Sequence, residues 1–158
     1  MQVASGPIHA RKAHFEAPPA SRVPMEMEHF VKWFNRTAPT GRTPLPALTR
    51  SGIAHIYFES IHPFEDGNGR IGHAISEKAL SQSAQQPAPA AFASTILAHR
   101  RVYYQALERA NQSNNLTGWL DWFAGIVLEG QRRTLAKVEF VIEKAKLLDR
   151  PRGQLKER

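Results

Sequence analysis

One ten-residue stretch, Ile61–Arg70, constrains this chain more than any other part of it, and it reads Ile-His-Pro-Phe-Glu-Asp-Gly-Asn-Gly-Arg. Gly67 and Gly69 can adopt positive φ without a Cβ penalty, and Asn68 tolerates left-handed geometry better than most residues. Such a turn can direct consecutive backbone N–H groups into one concavity that binds an anion. The stretch therefore predicts an anion-binding turn.

The residues that follow the turn predict a helix. Within residues 71–80, four apolar side chains fall on one helical face, namely Ile71, Ala74, Ile75 and Ala79. The turn then lies at a helix N-terminus, where the macrodipole and the free N–H groups favour phosphate.

Three side chains beside the turn have chemistry that suits a phosphate site. Arg70 can bind phosphate oxygens with two N–H groups. Asp66 supplies the hard oxygen ligand that Mg²⁺ prefers. His62 is the side chain of the stretch that can exchange a proton near neutral pH. A Gly-Asn-Gly turn alone is usually only a turn, but the joint arrangement predicts a phosphate-handling site.

The stretch His62 to Arg70 resembles the signature of the Fic family, His-x-Phe-x-(Asp/Glu)-Gly-Asn-Gly-Arg-x-x-Arg. The resemblance implies transfer of AMP from ATP to a Ser, Thr or Tyr hydroxyl of a target protein, with release of pyrophosphate. It also implies the roles of the site residues: His62 as the base, Asp66 as the Mg²⁺ ligand, Gly67, Asn68 and Gly69 as the phosphate nest, and Arg70 as a phosphate clamp.

The chain departs from the signature at its last position, where His73 replaces the second arginine. In the family that arginine meets the outermost phosphate, so His73 is the candidate for this contact. A neutral histidine in place of a bidentate charged contact would weaken nucleotide orientation by ~1.5–3 kcal/mol. Three alternatives to full activity follow: a nucleotide-binding interaction module, transfer from another donor such as UTP or CDP-choline, and, less favoured, a hydrolase with His62, Asp66 and His73 as metal ligands.

A second segment extends the resemblance. Residues 103–111 read Tyr-Tyr-Gln-Ala-Leu-Glu-Arg-Ala-Asn and are similar to the segment that lines the adenine pocket in Fic proteins. By this resemblance Tyr103 and Tyr104 line the pocket, Tyr104 stacks on the base, and Asn111 hydrogen-bonds its edge. Core packing of the tyrosines and a helix C-cap at Asn111 are the alternatives.

The N-terminal residues predict a short β-hairpin. Residues 2–16 alternate weakly after a Gly6-Pro7 turn. In Fic proteins a hairpin flap in this place aligns the target segment by strand pairing, so the expected partner is a target protein docked along the flap. The following Phe15 to Pro19 resembles the family's link into its first helix.

The rest of the chain predicts helices, so the expected fold is mainly α, a Fic-type helical bundle with the flap. Pro24 and Pro46 fit the first turns of two helices separated by a loop over 37–46. Ser94 predicts the N-cap of a helix through Asn111. Thr117 predicts the start of the last helices, which Gly130 kinks or divides and which Pro151 ends. The expected inward faces are Met27, Phe30, Val31 and Phe34; Ile53, Ala54, Tyr57 and Phe58; Leu97, Tyr103 or Tyr104, Leu107 and Ala110; Trp119, Leu120, Phe123, Ile126 and Val127, continued by Val138, Val141, Ile142 and Ala145.

Composition bounds the class of protein. A chain of 158 residues predicts one domain, 1–150, with a basic tail at 151–158. The formal net charge is +7, but +5 of it lies from Gln131 onward, which predicts a solvated helix face rather than a nucleic-acid surface. The absence of cysteine excludes thiolate chemistry, and no apolar run reaches the roughly 18 residues that span a bilayer, so we expect no membrane partner and a cytoplasmic protein.

Many Fic proteins are inhibited by a glutamate in a Ser/Thr-x-x-x-Glu pattern. No Ser or Thr of this sequence has Glu four residues later. That glutamate normally pairs with the second arginine, which is also missing here. We therefore expect any inhibitory segment to lie on a partner chain, from which it would act in trans, or on a piece trimmed from this chain.

Overall fold

The computed structural model describes residues 2–5, 12–85, 91–112 and 114–154, and the fold of this part of the chain is helical. Its helices, in chain order, are α1 (Val23–Arg36), α2 (Ala47–Ile61), α3 (Asn68–Ala84), α4 (Phe92–Ala98), α5 (Arg100–Ala110) and α6 (Thr117–Gln154). A single 3₁₀ turn, Ala20–Arg22, precedes α1. The mainly helical fold that the sequence predicts is confirmed for this part of the chain.

Two short strands precede the helices. β1 (Gln2–Ser5) pairs antiparallel with β2 (Lys12–Glu16), and the register is irregular between Val3 and Ala4. The predicted Gly6-Pro7 turn lies outside the described residues.

The helix α2 is the centre of the molecule, and buried Arg50 ties it to its neighbours. The Arg50 guanidinium donates to the Phe34 carbonyl of α1 at 2.9 Å and to the Ala79 carbonyl of α3 at 3.5 Å, and it lies over the Phe34 ring. Arg50 thereby gives a hydrogen-bond partner to one backbone carbonyl of α1 and one of α3. On the α1 side, Phe30, Ala54, Phe58 and Ile61 form an apolar cluster, as the periodicity predicts. Val31 departs from the prediction, since it is exposed.

The seam between α2 and α3 is built from small and polar residues. Ser51 Oγ donates to the Ser76 carbonyl at 2.8 Å, and Ser76 Oγ lies 3.2 Å from Nδ1 of the fully buried His55. A Cβ at Gly72 would lie 3.2 Å from His55 Cε1, so the absence of a side chain there permits the close approach. The predicted inward face of α3 is wrong at Ile71 and Ala74, which are exposed. The face that is buried is offset and consists of Asn68, Gly72, Ser76, Ala79 and Leu80.

The single helix predicted from Ser94 to Asn111 is two helices. α4 begins at Phe92, before Ser94, and ends at Ala98; α5 begins at Arg100. At the break, the His99 ring lies 2.9 Å from the Glu129 carboxylate of α6. The inward position predicted for Leu97 is wrong, since this side chain is 68% exposed, while Tyr103 and Ala110 are buried as predicted.

The last helix, α6, is continuous, so a division at Gly130 and the end predicted at Pro151 are both wrong. A Cβ at Gly130 would lie 3.4 Å from the Phe92 Cα, which shows that this glycine permits helix contact instead. Trp119, Phe123, Ile126 and Val127 are buried in the main core as predicted, and Leu120 is partly buried against it. The inward positions predicted for Val138, Val141, Ile142 and Ala145 are wrong, since these side chains are exposed. From residue 131 to 149, which we call the outer half of α6, every side chain except Thr134 is exposed.

Within the described residues, no helix combines the length and apolar character that crossing a bilayer requires.

Candidate active site

The predicted turn lies at the N-terminus of α3, and one residue provides its left-handed backbone. Gly67 has φ 86° and occupies the N-cap position. Asn68 and Gly69 are already in the first turn of α3, so the left-handed geometry considered for them is not adopted. A turn that enters a helix needs one positive φ, and glycine takes it at the lowest cost.

Three backbone amides at this helix start have no helical acceptor. The first bond of the α3 ladder runs from Ile71 N–H to the Gly67 carbonyl at 3.0 Å. The N–H groups of Asn68, Gly69 and Arg70 precede it and point along the axis out of the helix. This is the arrangement that binds phosphate at helix N-termini.

The Asn68 side chain holds the loop before the turn. Asn68 is buried, its Oδ1 accepts from Phe64 N–H at 3.0 Å, and its Nδ2 donates to the Phe64 carbonyl at 2.6 Å. Both backbone groups of Phe64 are therefore paired with one side chain. The side-chain amide of Asn68 therefore fixes the loop, and the backbone N–H of Asn68 is the group of this residue that can bind an anion.

Asp66 and Arg70 form an exposed pair above the turn. Asp66 Oδ2 lies 3.0 Å from Arg70 Nη2, and Asp66 Oδ1 accepts from Gly67 N–H at 2.7 Å. Their side chains are 92% and 80% exposed. Because an exposed ion pair contributes little to stability, both groups can exchange this contact for a ligand at small cost.

His62 lies at the C-terminal end of α2 in a backbone conformation that is rare for a residue with a Cβ. Its φ is 49° and its ψ is 58°, and its N–H donates to the Phe58 carbonyl at 3.1 Å. A left-handed non-glycine residue costs roughly 1–2 kcal/mol. Burial lowers the pKa of His62 below its ordinary value, so the imidazole is neutral at pH 7 and able to accept a proton.

Glu59 is a site residue that the sequence reasoning missed. Its Oε2 lies 3.9 Å from His62 Nδ1, and burial raises the pKa of Glu59 to about 7. The signal was present in the sequence, since residues three apart on a helix lie on the same face.

His73, the candidate for the outermost phosphate, packs in the core. Its ring stacks on His55 with centroids 5.3 Å apart and contacts Phe92 and Tyr103 edge-on. Its Nε2 is buried and has no hydrogen-bond partner among the described residues. Burial lowers its pKa, so the ring is neutral and supplies no charge for a phosphate.

The residues predicted to line the adenine pocket separate into two places. Tyr103 is buried, and its hydroxyl lies 2.9 Å from His55 Nε2. Tyr104 is 53% exposed, and the Arg100 guanidinium lies 5.6 Å from its ring centroid. Asn111 is exposed and lines a cavity of about 590 Å³ between α2 and the end of α5, next to Ser60. Ser60 Oγ donates to Asn111 Oδ1 at 3.3 Å.

A second cavity connects the N-terminal segment with the end of α2. It measures about 640 Å³, and its lining includes Glu16, Pro18, Pro19 and Ser60. Ser60, which also lines the first cavity, precedes His62 by two residues in the chain.

The donor set near the turn offers one carboxylate to a metal ion. Across the described ranges, no three His, Cys, Asp or Glu side chains are grouped so that they could hold a metal by themselves. A single exposed carboxylate beside an anion site fits Mg²⁺, which usually takes one or two carboxylates and completes its shell with phosphate and water.

Comparison with known proteins agrees with this geometry. Residues 3–80 match the model of the Fic/DOC family. Over 100 residues the chain is 29% identical to a probable protein adenylyltransferase of Aquifex aeolicus, covering 63% of this chain and 28% of that protein. The crystal structure of a Fic family protein from Desulfovibrio desulfuricans superposes with a TM-score of 0.67 at 30% identity, covering 77% of this chain and 35% of the other.

The chain therefore spans about a third of the length of either relative. The match includes β1, β2, the loop that carries His62 and most of α3, and the structural likeness extends further into the helical core. Sequence and fold agree, and the segment that forms this site belongs to the Fic/DOC family.

Proposed function

We propose that this chain is a protein adenylyltransferase that transfers AMP from ATP to a hydroxyl group of a target protein. The observation that supports this most is the grouping at the start of α3, where one loop brings a histidine, a carboxylate and an arginine beside three amides without helical acceptors. The name of the Aquifex relative carries the same activity. Because the chain spans only part of that relative, the activity of the longer protein is a proposal here.

His62 would accept the hydroxyl proton at Nε2, since its Nδ1 faces Glu59. The target oxygen then forms a bond to the α-phosphorus, the bond from that phosphorus to the bridging oxygen breaks, and pyrophosphate leaves with the electron pair. The N–H groups of residues 68–70 and the Arg70 guanidinium would hold the phosphates in position, which is where most of the catalysis of such a transfer lies.

Asp66 would be the protein ligand of a magnesium ion. When bound, such an ion neutralises phosphate charge and so stabilises the charge that develops in the transfer. Before a nucleotide binds, Arg70 holds the Asp66 carboxylate at 3.0 Å. The nucleotide can replace that contact, since both side chains are exposed.

The adenine base would occupy the cavity that Asn111 lines. Tyr104 is exposed and is not part of the lining of this cavity. The target segment would lie along the β1–β2 pair by strand addition, because an open strand edge supplies unpaired backbone groups. The cavity lined by Glu16 and Ser60 supports this proposal, because Ser60 is two residues from His62 in the chain.

The test is label transfer from ATP that carries the label at its α-phosphorus, with magnesium and a lysate that contains candidate targets. His62→Ala should lower labelling by ~10²–10⁴-fold, as removal of a general base does. His29→Ala, on the exposed side of α1, is the matched control and should label like wild type. Labelling that persists in His62→Ala would contradict the role of the base. Calorimetry that detects no triphosphate binding in the presence of magnesium would contradict the site itself.

A second candidate function is a nucleotide-binding interaction module with little turnover. The observation that favours it is the core position of His73, which leaves Arg70 as the arginine of the motif at the phosphates. Binding without pyrophosphate release would support this alternative, and activity gained in His73→Arg would identify the missing arginine as the cause. Assays of ATP, UTP and CDP-choline side by side would distinguish a different donor.

A further inference from the structure

Glu59 lies in the last turn of α2, where its carboxylate is enclosed and incompletely paired. Its side chain is 13% exposed, and its Oε1 is buried with no hydrogen-bond partner among the residues described. Leaving a buried polar group without a partner costs about 1–3 kcal/mol. A group kept at that cost inside a candidate site calls for a role, and the geometry around it indicates one.

The surroundings of this carboxylate hold its position. A Cβ at Gly72 would lie 2.7 Å from Glu59 Oε1, and one at Gly69 would lie 4.0 Å from it, so this oxygen lies directly beneath the first turns of α3. The other oxygen, Oε2, is 3.9 Å from His62 Nδ1. The titratable side chains around this pocket are His55 on α2, His73 on α3 and Tyr103 on α5, whose pKa the charge of Glu59 helps to raise.

The backbone of His62 is fixed from both sides. Its own N–H is bonded to the Phe58 carbonyl, and two residues later Asn68 pairs with both backbone groups of Phe64. The imidazole itself has one further partner, since a hydrogen bond with the backbone carbonyl of Glu59 raises the pKa of His62 against the larger effect of burial. The group that faces Nδ1 therefore decides what the other nitrogen can do.

We propose that Glu59 is a positioning residue, which holds Nδ1 of His62 and determines whether Nε2 can accept the hydroxyl proton. This inference rests on the proposed function for the effect of Glu59 on AMP transfer, whereas the contact between Glu59 and His62 does not depend on it. An ionised Glu59 accepts from Nδ1–H, so Nε2 keeps its lone pair and acts as the base. A protonated Glu59 donates to Nδ1 instead, so the proton of the neutral ring is on Nε2 and the base is blocked.

The changeover falls in the neutral range because burial raises the pKa of Glu59 to about 7. Burial lowers the pKa of His62, which favours the neutral ring in this range. At 3.9 Å the pair is an electrostatic contact that has to shorten to become a hydrogen bond. The imidazolium that forms on proton abstraction would attract the carboxylate, as the imidazolium of a Ser-His-Asp triad is stabilised by its aspartate.

The direct test is a nuclear magnetic resonance titration of the imidazole nitrogens of His62, assigned by comparison with His62→Asn. In wild type we expect the Nε2–H tautomer at pH 6 to be replaced by the Nδ1–H tautomer at pH 8. Glu59→Gln should abolish this change. The control is Glu77 on α3, a second acid whose pKa burial raises, and Glu77→Gln should keep the change. A wild-type ring with the same tautomer from pH 6 to 8, or a change that persists in Glu59→Gln, would overturn the proposal.

The kinetic test uses the label-transfer assay. Glu59→Gln should lower kcat roughly tenfold or more and remove the acid limb near pH 7, with KM for ATP unchanged because Glu59 lies beneath the turn. Glu59→Asp should restore part of kcat. If Glu59→Gln instead raised KM for ATP and left the pH profile unaltered, the role of Glu59 would be purely structural. If wild type transfers no AMP, the proposed function fails, and the tautomer measurement still decides the role of Glu59.

Discussion

Two regions of the molecule, α2 and the outer half of α6, are both helical but differ in what covers them. Eight of the fifteen residues of α2 are buried, and these include the polar side chains of Arg50, Ser51 and His55. The outer half of α6 instead exposes a series of large apolar side chains, namely Leu135, Val138, Phe140, Val141, Ile142, Leu147 and Leu148. Polar residues are buried in one helix and apolar residues are exposed in the other.

The difference shows that burial in this fold follows partners and not hydropathy alone. In α2 the fully buried Arg50, Ser51 and His55 each meet a group on a neighbouring helix, such as the Phe34 carbonyl for Arg50 or the Tyr103 hydroxyl for His55. Pairing of this kind offsets the cost of removing polar groups from water. The outer half of α6 has the periodicity of a buried helix, but no described element packs against it.

The largest effect that tests this comparison is expected within α6 itself. Phe123 is 0% exposed and packs against Phe92 and Trp119, whereas Phe140, 17 residues later on the same helix, is 67% exposed. Phe123→Ala should lower the free energy of unfolding by about 3–5 kcal/mol. Phe140→Ala should change it by less than about 0.5 kcal/mol. Urea unfolding of both variants measures the contrast.

Equal losses in the two variants would show that the outer half of α6 is packed in solution. The comparison between α2 and α6 would then fail, because a partner would cover the apolar face.

The second effect concerns a buried carboxylate of α2. Burial raises the pKa of Glu59 from 4.5 to about 7, so the folded state binds a proton more tightly than the unfolded state. The stability of the protein is therefore highest below pH 4.5 with respect to this group and falls as pH rises through 7, by about 3 kcal/mol in total. The advantage of Glu59→Gln over wild type in urea should grow by that amount between pH 4.5 and pH 8.

The matched control for this measurement is Glu139→Gln, on the exposed outer half of α6. Its difference from wild type should change less with pH than that of Glu59→Gln. The same pH dependence in both variants would mean that the Glu59 carboxylate is as hydrated as a surface group.

Much of this fold could be predicted because its signals are local. Pro24 and Pro46 mark helix starts, and the stripes that contain Phe30 and Phe123 point inward, because the turn geometry and the helical period belong to the sequence itself. The motif from His62 to Arg70 likewise predicts the turn at the start of α3.

The remaining features depend on contacts between distant residues. Gly72 and Ser76 became the buried face of α3 because His55 and Ser51 lie opposite, which no periodicity of apolar residues reveals. At the break between α4 and α5, His99 contacts Glu129, which lies 30 residues away in the chain. The same holds for the stacking of His73 on His55, which the position of His73 in the motif does not reveal.

The smallest effect distinguishes the two glycines of the turn, which the sequence treats alike. Gly67 has φ 86°, and a Cβ there would be strained by roughly 1–2 kcal/mol, with Arg70 Nη2 at 3.4 Å. Gly69 is helical and has no neighbour of such a Cβ nearer than 4.0 Å, so Gly69→Ala should be neutral or stabilising by up to about 1 kcal/mol. Urea unfolding should therefore show destabilisation in Gly67→Ala alone. Destabilisation of similar size in both variants would mean that Gly69 also adopts left-handed geometry in solution. The contrast between the paired α2–α3 seam and the uncovered outer half of α6 would then not extend to the turn that begins α3.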